Sequence, residues 1–329
     1  MSALTINTPG YLIASVPFLL GFTPEDSHVI IWLNDDGSIG LVQRTNLADA
    51  DDPEITNAGV MHGFSSAICI TYAISRPEHF SDLHYDIAEA LEESGVVVKD
   101  LLHYADRRYW SYFTPKEEMI ADPGTMIDGE TLIAVDSRFA LSGMGVVDSR
   151  QTIIDEVTPF DGTAHKYAAA RRFWKQEIAD TDPVTARYTA ISMAHALTFD
   201  VSPSDSDLLR VAVSLEDVRV RDAVMYYLGT MTNEELRDVY KTIASVVRVV
   251  PKKYAAPTLT VASLCAYLSG DGAKANVCVT TALDIDPDYT MASYMARALS
   301  AGIHPDGFRE LVSGIDVDDV LSGGNDAVA

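Results

Sequence analysis

The chain has 329 residues, room for two domains, and its 47% hydrophobic and 22% charged content can bury a real core, so disorder is not the default. Lys and Arg total 24 against 48 Asp and Glu, a formal charge of -24, and a field of that sign repels nucleic-acid phosphates and anionic lipid. Direct nucleic-acid binding would need a local basic patch, for which the sequence offers only Arg107-Arg108, Arg171-Arg172 with Lys175, and Lys252-Lys253.

Such acidity keeps a protein soluble, and it also suits a decoy that occupies a basic surface on another protein. The three cysteines, Cys69, Cys265 and Cys278, stand far apart, which argues against a disulfide framework or a cysteine zinc site and fits a reducing cytoplasm. The first basic residue is Arg44, and the apolar segment 11–22 is interrupted by Pro17, so no secretory leader is expected. No uninterrupted apolar run reaches membrane-spanning length. The expected location is the cytoplasm.

In chain order, residues 4–8 read as a short edge strand turned by Pro9-Gly10. Pro17 and Pro24 each remove an amide donor, and Gly21 lies between them, so residues 18–22 are expected as a packed turn or short helical turn instead of a long helix. Val29-Ile30-Ile31-Trp32-Leu33 is an unbroken apolar run closed by Asn34-Asp35-Asp36-Gly37, the pattern of a central strand covered on both faces. Residues 39–45 return as its hairpin partner. A helix over 53–64, a strand over 67–74 and a helix from Pro77 to Glu93 follow, the last placing Phe80, Leu83, Ile87, Ala90 and Leu91 on one face before Gly95 stops it. Residues 96–102 and 107–113 form another strand pair, with 103–106 between or within them.

Segment 114–130 reads as a loop, 132–141 as strand or helix, and Ser149 caps a helix running to Val157. Pro159-Phe160-Asp161-Gly162 marks the boundary between an α/β domain, residues 1–160, and a helical domain, residues 161–315, with 316–329 as a disordered tail. In the second domain the expected helices are 164–178, 183–197, 206–213, 215–228, 233–249, 257–268, 272–284, 288–301 and 305–312. Their short connections predict an all-α bundle or irregular solenoid. Gly270-Asp271, Ala275, Ala282 and Pro287 reproduce the offsets of one tetratricopeptide helix, but a shift of 34 residues finds no second copy, so a single hairpin of that kind is expected.

The pattern V-P-F-L-L-G-F-T-P-E-D-S-H-V-I from Val16 resembles the opening signature of an actinobacterial and actinobacteriophage family known as domain of unknown function 4192. Tyr109-Trp110, Asp148-Ser149-Arg150, the run L-S-G-D-G-A-K-A-N from Leu268, Ala282-Leu283 and Asp286-Pro287-Asp288-Tyr289 are similar to that family in the same order. The resemblance implies an actinobacterium or one of its phages as source. It implies no activity.

Chemistry-bearing patterns are sparse. There is no Gly-x4-Gly-Lys phosphate loop and no Gly-x-Ser-x-Gly elbow, and Gly143-Met144-Gly145 lacks the third glycine of a dinucleotide fingerprint. His79, Asp82, His84 and Asp86 carry ligand-type side chains on one helix, but 79 and 84 do not share a face, so they read as surface polar residues. Asp284-x-Asp286-x-Asp288 lacks the glycine and glutamate of a calcium loop and reads as a turn. In 103–112, a continuous strand would put His103, Arg107, Tyr109 and Ser111 on one face, and Tyr104, Asp106, Arg108, Trp110 and Tyr112 on the other. The second set, with Ser27 and Arg150 at element ends, forms either a ligand pocket near the sheet edge or an aromatic ladder with an internal Asp106–Arg108 pair.

The sequence therefore predicts a non-enzymatic acidic interaction protein engaging a host protein, without cofactor or metal and without direct nucleic-acid or membrane contact. The alternative is a small-molecule or nucleotide-binding α/β protein, hydrolytic or not, with Ser27, Arg107, Arg108, Trp110 and Arg150 as its pocket. Oligomeric state is left open.

Overall fold

The computed structural model describes residues 8–50, 59–60, 62–141, 145–160, 162, 164–198, 203–313 and 316–322. The chain divides into two compact units, Met1–Arg150 and Gln151–Ala329.

The first unit is a mixed six-stranded sheet in the order β2-β1-β3-β4-β5-β6. Its strands are β1 Ser27–Leu33, β2 Ile39–Asn46, β3 Ser66–Tyr72, β4 Val97–Ala105, β5 Arg108–Ser111 and β6 Thr125–Met126. Only β3 and β4 run parallel, joined by a crossover made of a 3-10 turn, Pro77–Phe80, and helix α2, Ser81–Glu93. β1 lies between β2 and β3, and Val29, Ile30, Ile31 and Trp32 are all buried, which is why the run is apolar without alternation.

On one face Ile30, Trp32, Cys69, Leu101 and Trp110 pack against Ile87 and Leu91 of α2 and against Met119 of α3, Lys116–Ala121. The opposite face meets α1, Pro9–Leu20, where the phenol of Tyr72 donates to the Ile13 carbonyl at 2.9 Å. Helix α1 in turn packs on α4, Gly129–Leu141, with Phe18 stacked on Phe139 at 4.6 Å.

Helix α1 replaces the expected turn at 18–22. Thr8 caps it by accepting from the Tyr11 amide, Pro9 occupies a position that needs no donor, and Gly21, at φ 78, closes it. Pro17 sits inside the helix and cannot bond the carbonyl four residues back. That carbonyl belongs to Ile13, the one Tyr72 satisfies, so a tertiary bond offsets part of the proline's cost. Of the strand expected at 4–8, only Thr8 lies within the described residues, and of the helix expected at 53–64, residues 53–58 and 61 lie outside them.

The segment 114–130, expected as a loop, contains α3 and β6. The open alternative at 132–141 resolves as helix, because Asp128 accepts from the Thr131 amide at 2.7 Å and caps α4.

Among its described residues the second unit is built of helices, beginning with α5 Arg150–Glu156 at the junction, then α6 Ala164–Asp180, α7 Pro183–Leu197, α8 Asp205–Ser214, α9 Val218–Thr230 and α10 Asn233–Val249. It continues with α11 Ala256–Leu268, α12 Gly272–Ile285, α13 Thr290–Ser300, α14 Pro305–Ser313 and α15 Val317–Ser322. Helix α11 is the centre: nearly every one of its side chains is buried, and α9, α10, α12 and α13 pack around it. The α11–α12 connection turns on Gly270 at φ 87, and the Ser263 hydroxyl donates to the Ala275 carbonyl at 2.8 Å across the pair.

Residues 317–322, expected as disordered tail, form α15 against α7 and α9; residues 323–329 lie outside the described set. The seat explains the helix. Leu321 is fully buried, and Arg187 of α7 donates to its carbonyl at 3.0 Å while pairing with Asp217. Among the described residues, no helix is long and apolar enough to cross a membrane.

Candidate functional site

The five residues singled out in the sequence separate into two groups. Ser27 opens β1, where its hydroxyl donates to the Glu25 carbonyl at 2.6 Å and accepts from Arg44 Nε at 2.9 Å. The Arg44 guanidinium lies 6.0 Å over the Phe22 ring. Its pKa is lowered chiefly by burial and then by the positive charge of Arg150, which places Arg150 in the same neighbourhood. Arg108 and Trp110 are on β5, three strand steps from β1, or about 14 Å at the usual interstrand spacing.

There Arg108 Nη1 donates to the carbonyls of Gly124 at 2.8 Å and Pro123 at 3.3 Å, and Trp110 Nε1 donates to the Asp122 carbonyl at 3.0 Å. The polar ends of this pair thus bind the segment that leads into β6. Arg107 is in the turn between β4 and β5, where Asp106 and Arg107 both take the left-handed conformation at φ 47 and φ 61. The two-residue turn reverses the chain, so His103 pairs with Trp110 and Tyr104 with Tyr109. This corrects the facial assignment made for a continuous strand: His103 shares a face with Arg108 and Trp110, and Tyr104 lies opposite with Tyr109. It also leaves no internal Asp106–Arg108 ladder pair, because Asp106 belongs to the turn.

A cluster the sequence did not reveal lies under α2. His28, Thr71 and His103 are register neighbours across β1, β3 and β4, and His84 reaches down to them from the helix. Thr71 Oγ1 is 3.2 Å from His28 Nδ1 and 2.6 Å from His84 Nε2. His103 Nε2 donates to the Ser75 carbonyl at 2.8 Å, and its ring stacks on Phe80 at 5.5 Å. All three imidazoles are buried, and His28 Nε2, His84 Nδ1 and His103 Nδ1 have no partner. Burial pushes the pKa of His28 and of His103 down to about 4, and takes His84 well below the ordinary histidine value with help from the other two rings.

His84 therefore is not the surface residue that the 79–86 pattern suggested, whereas His79, Asp82 and Asp86 are exposed. The available signal was its spacing, since His84, Ile87 and Leu91 share one buried helix face. Among the described residues, no group of three or more His, Cys, Asp or Glu is arranged to hold a metal ion.

The helical unit carries an open cleft of about 330 Å³ between α7, α9 and α10. Its walls are mainly apolar, with Ile191 and Ala194 from α7, Leu228 from α9 and Met231 just after it, and Val239 and Ile243 from α10. Tyr188 and His195 bring polar groups to it from α7. The Tyr188 hydroxyl donates to Asp318, and the Glu235 carboxylate is close enough to His195 to have its pKa lowered by it, after the larger effect of its bonds to Thr232. Carboxylates thus stand beside an apolar hollow.

A family model described as "Domain of unknown function (DUF4192)" matches residues 9–306. The chain belongs to this family. The DUF4192 match takes in the whole sheet, the histidine cluster and the three helices of the cleft, and ends at the start of α14, leaving α15 beyond it. No curated protein and no solved structure matches the chain.

Proposed function

We propose that this DUF4192 chain is an acidic, non-enzymatic binding protein that engages a protein partner through its helical unit, in the cytoplasm of an actinobacterium that either encodes it or hosts the phage that does. The observation that carries this reading is the cleft of about 330 Å³, which has room for one or two large apolar side chains. With Glu235 and Asp318 beside it on a chain of net charge -24, the complementary segment is an apolar anchor flanked by Lys or Arg. The separation of Arg108 and Trp110 from Arg150 supports an interaction protein over a phosphate or nucleotide pocket. Helix α11 packs against α9 and α10 and so backs two walls of the cleft.

The test is affinity capture from actinobacterial lysate with the full chain and with Ala194→Trp, which fills the cleft, after thermal melts show that both are folded. A stoichiometric protein partner is expected with the wild type, released by high salt and reduced at least about tenfold by Ala194→Trp. Equal capture by both proteins, or recovery of a metabolite without protein, overturns the reading.

A further inference from the structure

Two neutral imidazoles and one hydroxyl meet at Thr71, and they carry three polar hydrogens for only two contacts, Thr71 to His28 and Thr71 to His84. Whichever tautomers are chosen, one hydrogen is left over in a layer sealed between α2 and the sheet. His28 and His84 face each other at 5.4 Å between ring centroids, and His84 lies 4.2 Å from the Tyr112 ring. Adding a proton to either imidazole leaves a second hydrogen without an acceptor in the cluster and puts a charge in a buried layer. The cluster tolerates the neutral state and penalises the charged one.

The groups facing the cluster do not relieve that penalty. From β3 come Thr71 and, one step along, Cys69, whose thiol burial pushes up to about 12. From β5 and the residue after it come Trp110, Arg108, which is bound to two carbonyls, and Tyr112, whose hydroxyl donates to the Pro77 carbonyl at 2.7 Å. From α2 come His84 and Tyr85, from α3 the uncharged Met119, and from β2 Thr45 opposite His28. The facing carboxylate is Glu78 of the 3-10 turn. Its Oε1 is paired with Arg76 Nε at 3.0 Å, and its buried Oε2 has no partner. Burial lowers the pKa of His103 by more than its bond to the Ser75 carbonyl and then the Glu78 charge raise it.

We propose that the buried chain His28–Thr71–His84, with His103 beside it, is an acid-operated latch: with neutral imidazoles it holds the turn Pro77–Phe80 and α2 on the sheet, and on protonation it lets them go. Three of the elements it joins are consecutive in the chain, since β3, the 3-10 turn and α2 follow one another, so release needs no rearrangement of the β1–β2 hairpin. The proton is accommodated by exposing the rings to water.

The test is hydrogen exchange of the full chain between about pH 8 and about pH 5, corrected for intrinsic rates, with α11 and α12 as internal reference. The expected result is that opening of residues 77–93 is level above about pH 6.5, rises below it by up to about tenfold per pH unit for each proton taken up, reverses on neutralisation, and leaves α11 and α12 protected. A triple variant, His28→Asn with His84→Gln and His103→Gln, places an amide near each bonded ring nitrogen without a titrating group, and is expected to lose the acid response.

Equal protection of residues 77–93 at both ends of the pH range, or an unchanged acid response in the triple variant, overturns the latch. Should that variant not fold, imidazole resonances of the wild type decide. Rings that titrate near the ordinary histidine value while α2 stays protected overturn it, and rings that titrate only as α2 opens support it.

Discussion

At the scale of single residues, Ile13 shows how a helix accepts an internal proline: the carbonyl that Pro17 leaves free takes a hydrogen bond from Tyr72, 59 residues along the chain. Tyr72→Phe removes that donor and is expected to cost about 1–2 kcal/mol in urea unfolding, because the carbonyl is then buried without a partner. Tyr104→Phe, at the neighbouring ring 5.2 Å away, should cost less. The proline was legible in the sequence; its remedy was not, since nothing local indicates which distant hydroxyl will arrive. Gly124 is a second such point. It has φ 78, and a Cβ there would fall 2.5 Å from the Trp110 ring. Gly124→Ala is expected to destabilise by about 2–3 kcal/mol and to loosen β6, read as a lower denaturant midpoint and a change in Trp fluorescence.

At the scale of elements, the β4–β5 hairpin depends on two consecutive left-handed residues, Asp106 and Arg107, neither of which is glycine. Arg107→Gly fits this turn better and is expected to raise stability by about 1 kcal/mol, measured by thermal melting. A loss of stability would indicate that the arginine side chain holds something in place. The seam between α2 and the sheet has its own pH signature. Burial lowers the folded pKa values of His28 and His103 to about 4, against about 6.5 for a histidine in water, so the unfolded chain binds more protons between those values. Their contribution is complete above about pH 6.5 and is lost as pH falls toward about 4, amounting to about 3 kcal/mol for each ring at the acid end. Urea titrations at a series of pH values would show it as a stability that falls with acid, against the relief of repulsion that protonating carboxylates brings.

At the scale of the whole molecule, a net charge of -24 dominates the long-range electrostatics. Self-repulsion of that size is screened by salt, so the melting temperature should rise when ionic strength goes from about 0.01 M to about 0.15 M. On the proposed reading, capture of a basic partner at the cleft should weaken over the same range. Opposite responses to one variable separate folding from binding, and a partner whose capture strengthens with salt would point to a purely apolar contact.

The sequence by itself determined the strands and the crossover helix between about residues 27 and 113, the change to helix after helix from about residue 164, and the family to which the chain belongs. Those features are written in local periodicity, in turn residues and in motifs that need no partner to be recognised. Only the tertiary structure decided that 9–20 is a helix, that 317–322 docks against α7 and α9, that Arg108 and Trp110 are tied to a neighbouring segment, and that three histidines meet beneath α2. Each of these depends on a group far away in the chain: a phenol for a proline, a groove for a short helix, a carbonyl for a guanidinium, and strand register for an imidazole. Periodicity marks which face of an element is buried. What it is buried against is fixed only when the sheet order and register exist.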